Sequence, residues 1–302
     1  MSYTVNQLII DTERHLRSFH RERRNILNGA ITDSATSLLL TYRDPTIQPG
    51  HMIEIDTEIM YVHGVQNLTL TVERAMDGST AAAHSSGAGV RIQPAFPRAA
   101  IMAALLAEIR SWPRGLYKTT TVDLTWPAAS NMVDLDGTLN LDVHGILDAI
   151  RRPTGSSTST DTDPWMRVPL RLRRNLSTAL YTSGNGVALA SGTSYGTAHT
   201  IRVTYASGFI LSTFTTSTDV ETTCGLTSSM LDIAPLGAAA RLLGNAEAVR
   251  ATLDVQGQAR NAAEVPPGYA QQAADGYRKL ADRRISEERT RLLGLYPYAA
   301  WS

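Results

Sequence analysis

The chain has one cysteine, Cys224, in 302 residues. A single thiol excludes an intrachain disulfide and any metal site built from several thiolates. Net charge is also missing: 28 Lys and Arg stand against 28 Asp and Glu. No global field therefore draws the chain onto nucleic acid or an anionic membrane, and an electrostatic partner must be met by a local patch. Long apolar runs are absent. The longest, AAIMAALLA from Ala99 to Ala107, is about half the ~20 residues that cross a bilayer. The N-terminal MSYTVNQLIIDTERHLRSFHRERR carries charges where a signal peptide needs an apolar core, so a protein of the cytosol, or one assembled there, is expected. The seven histidines are scattered without HExxH spacing, and neither GxGxxG nor GxxxxGK[ST] occurs. No metal, nucleotide or other cofactor is expected.

What is present is a composition fit for a core: 43% hydrophobic and 19% charged residues, enough for two or so domains at this length. Leu8, Ile9, Leu16, Phe19, Ile26 and Leu27 recur at helical spacing and predict a first helix from about Val5 to Asn28, stopped by Gly29. SLLLTY, MIEIDTEIMYV and LTLTVER read as strands, the second with Ile53, Ile55, Ile59 and Tyr61 on one face and Glu54, Asp56 and Glu58 on the other. Pro97 opens a second helix with a wide stripe of Ile101, Leu105 and Ile109, and Trp112-Pro113 closes it. From Thr119 to Met230 the chain turns Ser, Thr and Gly rich, with short alternating runs at VPLRLR, VALAS, TIRVTY and FILSTF that suggest a β-sandwich. GSSTSTDTDP, Gly155 to Pro164, reads as an exposed loop. Helices return over Leu236–Leu253 and Tyr269–Leu293, the latter with Tyr277, Leu280, Ile285, Leu292 and Leu295 near one face.

The expected class is therefore α+β. A helical core is drawn from N-terminal, central and C-terminal helices, with a small β-domain and a larger inserted β-sandwich. The divisions fall at 1–30, 31–95, 96–118, 119–231 and 232–302.

One stretch carries candidate chemistry. TVERAMDGSTAAAHSSGAGVRI, Thr71 to Ile92, holds Asp77, Ser79 and His84, the residue types of a nucleophilic relay. It lacks the strained Gly-x-Ser-x-Gly elbow, and Asp77-Gly78 is a tight-turn signal. The structural reading is preferred: Arg74 and Asp77 pair across the turn, Gly78 permits the bend, and His84 caps or packs the returning chain. Glu54, Asp56 and Glu58 at alternate positions would share a strand face and meet a hard cation or an Arg; a solvated face or an inter-subunit salt bridge to Arg is preferred to a metal. Arg14, Arg17, Arg21 and Arg24 give the first helix a basic face toward water, a neighbouring acidic surface or passing DNA.

The run Ile47 to Val90 resembles a module of tailed-bacteriophage structural proteins: an E-x-M-x-V strand, a turn, then L-T-V-x-R-G-x-D-G-T-x-A-x-x-H-x-x-G-x-x-V. The matching residues are Glu58, Met60, Val62, Leu70, Thr71, Val72, Arg74, Asp77, Gly78, Ala81, His84, Gly87 and Val90. Ala75 stands where the module has Gly and Ser79 where it has Thr; the Ala argues that a positive φ is not needed there. FPRAAIMAALLAEI and DIAPLGAAARLL, Asp232 to Leu243, extend the resemblance to the head-to-tail adaptor (connector) proteins of actinobacteriophages. It covers about two thirds of the chain and leaves out the Thr119–Met230 insert.

The resemblance implies a non-enzymatic structural virion protein of the neck. It would form a homo-oligomeric ring, a dodecamer, that docks on the portal, meets the next neck or tail component and surrounds the DNA channel, where it can touch DNA non-specifically. It would be assembled in the host cytoplasm. Tyr296, Tyr298 and Trp301, with Arg289, Arg291 and Leu292, are the candidate portal or subunit interface. The alternative is a tail or decoration protein whose β-insert binds host glycan, although Trp126, Trp165, Tyr181, Tyr195 and Tyr205 show no spacing of a sugar platform.

Overall fold

A computed structural model describes residues 2–19, 22–113, 115–134, 143–151, 166–182, 184–190, 199–255, 268–296 and 300–301. Arg21, the Gly155–Pro164 loop, Trp165, Tyr195 and Tyr298 lie outside the described residues. Helices and antiparallel sheets are both present, which makes the chain α+β. Among the described residues no helix is long and apolar enough to cross a membrane.

The first helix, α1, is Val5–Leu16 and shorter than its periodicity suggests. Its leading amides have no side-chain cap; Val5 and Asn6 donate instead to the carbonyls of Thr218 and Thr216, both at 3.0 Å, so the segment after the insert closes the helix start. Residues expected to continue the helix form a strand, β1 (Arg23–Ile26). Asn25 and Leu27 are buried while Arg24 and Ile26 face out. This period of two fits a sheet, and a waiting strand edge outweighs helical propensity. Gly29 takes the left-handed conformation at φ 97°, but it ends a strand rather than a helix.

β1 opens a six-stranded sheet with β2 (Ser37–Leu39), β3 (Met52–Ile55), β4 (Glu58–Gln66), β5 (Thr69–Glu73) and β6 (Gly89–Ile92), in the order β1-β6-β3-β4-β5-β2. The outer strands meet beyond their ends: Thr41 donates to Ile26 at 2.8 Å and Asn28 to Leu39 at 2.7 Å, around a Leu27–Leu40 bridge. The sheet thus closes into a small barrel without a free edge. Leu27, Leu38, Leu40, Ile53, Ile55, Met60, Val62, Leu70, Val72, Val90 and Ile92 fill it. MIEIDTEIMYV is not one strand but the β3–β4 hairpin, with Ile55 opposite Glu58 and Asp56 in the left-handed turn at φ 55°. The turn removes Glu54, Asp56 and Glu58 from a common strand face.

α2 (Arg98–Ser111) follows, starts after Pro97 and ends at Trp112-Pro113, as the sequence suggests. The insert then builds a sheet of β7 (Lys118–Trp126), β9 (Val143–Arg151), β10 (Met166–Arg167) and β13 (His199–Ser207), and a second of β8 (Met132–Asp134), β11 (Leu170–Arg173) and β12 (Gly186–Leu189). One apolar cluster joins the two sheets, with Trp126, Val187, Ile201 and Val203 at its centre. FILSTF is not a strand: Phe209, Leu211 and Phe214 run without a ladder and pack on the helices. Cys224 is buried in a wide helical turn, Val220–Cys224.

α3 (Ile233–Val255) and α4 (Tyr269–Leu295) complete a helical body with α1 and α2. On α4 the buried positions are Ala274, Ala281, Glu288 and Leu292. Their seven-residue rhythm is a packing seam whose alanines let α3 approach. Leu280 and Leu295, expected on the inner face, point outward instead. After α4 the chain reaches β14 (Ala300–Trp301), which pairs with β9 opposite Ile146 and Gly145.

Glu108 of α2 is buried at the meeting of three helices. It accepts from Arg241 of α3 at 2.6 Å and from Arg278 of α4 at 2.9 and 3.1 Å. A Cβ on Gly237 would stand 2.2 Å from the Glu108 Cδ. Gly237→Ala should push the carboxylate off its two arginines. It should lower stability by about 2 kcal/mol, because overpacking exceeds the helix propensity that Ala adds. Gly244→Ala on the same helix, where an added Cβ meets nothing within 4 Å, should stabilise by up to about 1 kcal/mol. Urea unfolding of both variants checks the opposite signs.

Candidate functional site

The signature stretch is organised around one carboxylate. Glu58 opens β4 directly after the Asp56 turn, so its side chain lies inside the barrel mouth with 1% exposure. Arg74, at the end of β5, meets it through Nε at 2.7 Å and Nη2 at 2.8 Å. The chain then curls back. Ala75 and Asp77 both adopt left-handed φ, 57° and 51°, and Gly78 follows at 76°. The positive φ at Ala75 corrects the sequence reading: the curl needs that conformation, and this chain places a strained alanine where the module has glycine. The curl aims the amides of Ala82 and Ala75 at Glu58, at 3.0 and 3.3 Å.

His84 completes the cluster. Its Nε2 lies 2.9 Å from Glu58 and its Nδ1 2.8 Å from Asp56. The ring is buried, while Asp56 stands at the surface. The spare donors of Arg74 go to the carbonyls of Thr32, Ala35 and Ala82 at 2.8, 2.9 and 2.6 Å. One guanidinium therefore ties the β1–β2 loop, the β4 start and the signature turn together. The expected Arg74–Asp77 pair does not form. Arg74 turns inward to the buried carboxylate, and Asp77 is left on the exposed side of the curl. Burial pushes the Glu58 carboxyl up, but Arg74, His84 and the Ala82 amide outweigh it and hold it at about 2.

These residues are not arranged as a relay. Ser79 Oγ accepts from the Ile59 amide at 3.0 Å and donates to the Ile59 carbonyl at 3.3 Å, while both nitrogens of His84 face carboxylates. The geometry fixes a backbone and presents no paired nucleophile and base. Among the described residues no cluster of three His, Cys, Asp or Glu side chains could hold a metal.

A second buried carboxylate joins the barrel to the helices. Glu54 of β3 has no exposed surface. It accepts from the Arg91 guanidinium of β6 and from the Arg98 amide at the start of α2, a helix N-terminus that favours negative charge. Arg91 also meets Glu22 and donates to the Phe96 carbonyl at 3.0 Å. Arg98 reaches Glu13 of α1 at 2.9 Å. Burial raises the Glu54 carboxyl further than Arg91 and the Arg98 amide lower it, to about 7.

The remaining candidates scatter. Arg14 pairs with Asp11 within α1, and Arg17 is exposed. Arg24 sits on β1 and pairs with Glu22 at 2.6 Å. With Arg21 outside the described residues, these side chains do not form one helical face. Leu292 is buried in the helical core. Arg291 meets the buried Glu288 through Nε at 2.9 Å, and Arg289 lies against Gly115. Tyr296 packs on the helical cluster, and Trp301 is placed by its backbone alone. Glu54, Glu58 and Glu108 were missed as organising residues. For Glu54 and Glu108 the one visible signal is an acid standing between apolar neighbours, as in IEI and LAEIR; Glu58 follows Thr57 and lacks it.

Comparison of the sequence with protein-family models and with curated proteins gives no match.

Removing Arg74 leaves the buried Glu58 with only His84 and the Ala82 and Ala75 amides to meet it, so Arg74→Ala should cost about 3 kcal/mol, the low end for a buried pair broken on one side. The two carboxylates act with opposite sign on pH. Glu58, depressed to about 2, stabilises above its ordinary 4.5, and that contribution is lost as pH falls toward 2. Glu54, raised to about 7, binds its proton more tightly folded than unfolded, so stability falls as pH rises from 4.5 to 7. Urea unfolding across this range should show both limbs. Glu54→Gln should abolish only the fall, and Glu58→Gln only the rise.

Proposed function

We propose that this chain is a structural virion protein of the phage neck, a head-to-tail adaptor that forms a ring on the portal and joins head to tail around the DNA channel. The observation that carries the reading is the convergence of the module's residues. Glu58, Arg74 and His84, three positions of the tailed-phage motif, meet at one buried carboxylate. In this chain the motif is then the residue set that holds a particular backbone curl, which is what supports the reading.

The body agrees with such a role. Helices from both ends and the middle of the chain share one core, which gives a subunit a rigid wall for its neighbours. The barrel and the insert, which we read as a β-sandwich from its single shared cluster, supply surfaces for components above and below. Arg289 and Tyr296, near the end of α4, remain the residues we assign to portal or subunit contact, with Tyr298 and Trp301 of the tail. Aromatics and arginine at an interface centre carry most of its energy. The ring would contact DNA non-specifically through exposed cations such as Arg17.

Cryo-EM of the purified protein mixed with portal should show a symmetric ring of this chain on the portal. A chain that stays monomeric alone and with portal, and that leaves no density at the neck of virions, defeats the proposal.

A further inference from the structure

The insert contains a long strand with an uncovered side. β7 pairs with β13 over all nine of its residues, from Lys118 opposite Ser207 to Trp126 opposite His199, without a bulge. Among the described residues nothing pairs with its other side. The barrel has no edge. The far side of the same sheet is covered along β9, by β10 opposite Ile150 and Arg151 and by β14 opposite Gly145 and Ile146.

Edges are normally blocked by charge, proline, bulges or shortness, and β7 has none of these in working form. It contains no Pro or Gly. Its interior charge, Asp123, is met across the ladder by Arg202 at 2.8 and 3.1 Å. Lys118 lies along Gly225, where an added Cβ would stand 2.3 Å from its Cδ, so it is turned to its own chain. Thr119, Thr121 and Thr125 form the exposed row.

The strand is also complementary to itself. Antiparallel pairing centred on Val122 sets Thr119 opposite Thr125 at both ends. It places Asp123, held by Arg202, opposite Thr121, whose hydroxyl meets Thr204 at 3.1 Å, and brings no two like charges directly together. Thr–Thr neighbours are favourable cross-strand pairs.

We propose that the outer side of β7 is an interaction surface for a second copy of this chain, joined as an antiparallel β7–β7 pair about Val122. The contact is two-fold, and neighbours in a cyclic ring are not related by a two-fold axis. It therefore belongs to the free protein before assembly, and its failure would leave the ring reading untouched.

Native mass spectrometry and sedimentation of the full chain without portal test the pairing. The wild type should show a species of twice 32.7 kDa in the micromolar range. Thr119→Lys with Thr125→Lys puts lysine opposite lysine at both ends and should weaken association by about tenfold. Thr119→Lys with Thr125→Glu puts lysine opposite glutamate and should restore it. Both positions are exposed, and unchanged circular dichroism and melting confirm the folded monomer. A wild type that stays monomeric, or two double variants that associate alike, overturns the pairing.

Discussion

A carboxylate withdrawn from water must be met by fixed donors, and Glu58 imposes that demand on the whole barrel. Its donors come from the end of β5, from the curl that follows and from His84 before β6. Satisfying them sets the path of some ten residues and forces left-handed backbone at Ala75 and Asp77. Strain of about 1–3 kcal/mol per residue is expected at such positions. A buried pair broken on one side costs about 3–5 kcal/mol, so the ion pair can hold the curl against its strain. Surface pairs such as Arg283–Glu287 are screened by water and could not.

The same device recurs where the barrel meets α2 and where α2 meets α3 and α4, with a different balance. Glu58 is surrounded by donors and stays ionised. Glu54 must share Arg91 with Glu22 and sits deeper, so burial prevails and its carboxyl rises to about 7. Glu108 binds α2 to α3 and α4, and Gly237 makes room for it. Apolar clusters supply most of the stability in each part, but they are non-directional. The buried carboxylates select one relative placement of the elements.

How much of this could be read in advance depends on the range of the deciding interaction. Runs with a local cause were legible: α2 from its Ile101, Leu105 and Ile109 stripe and its Pro limits, α3 and α4 from length and composition, and the strands SLLLTY and LTLTVER from their side chains. Arg23–Ile26 was misread because Ile26 and Leu27 fit a helical stripe, whereas the strand depends on β6, more than sixty residues away. The β3–β4 hairpin was hidden by Asp56-Thr57, which lacks the Gly or Asn of a turn signal. In the site, Arg74, Gly78 and His84 were visible as a group, but Glu58 as their centre was not. Nothing local distinguishes a glutamate that faces water from one that organises a barrel. Leu280 was placed inward for a related reason: a stripe fitted to leucines overlooks a seam made of alanines.

The connection between insert and body shows where the one ends and the other resumes. The insert leaves the helical core at Lys118 and returns at Ser207, and these two residues are paired partners in the β7–β13 ladder. Entry and exit therefore lie side by side, a strand spacing of about 5 Å apart. A segment hung from two adjacent points adds little to the cost of closing the body, and its loops can lengthen without moving α2 or α3. The residues after Ser207 behave differently. Phe214, Val220, Leu226 and Met230 pack into the helical core, and Thr216 and Thr218 close the start of α1. The boundary between insert and helical body thus falls at the end of β13 by packing, well before the change in composition near Met230. Substitutions in this returning segment act on the helical body rather than on the insert.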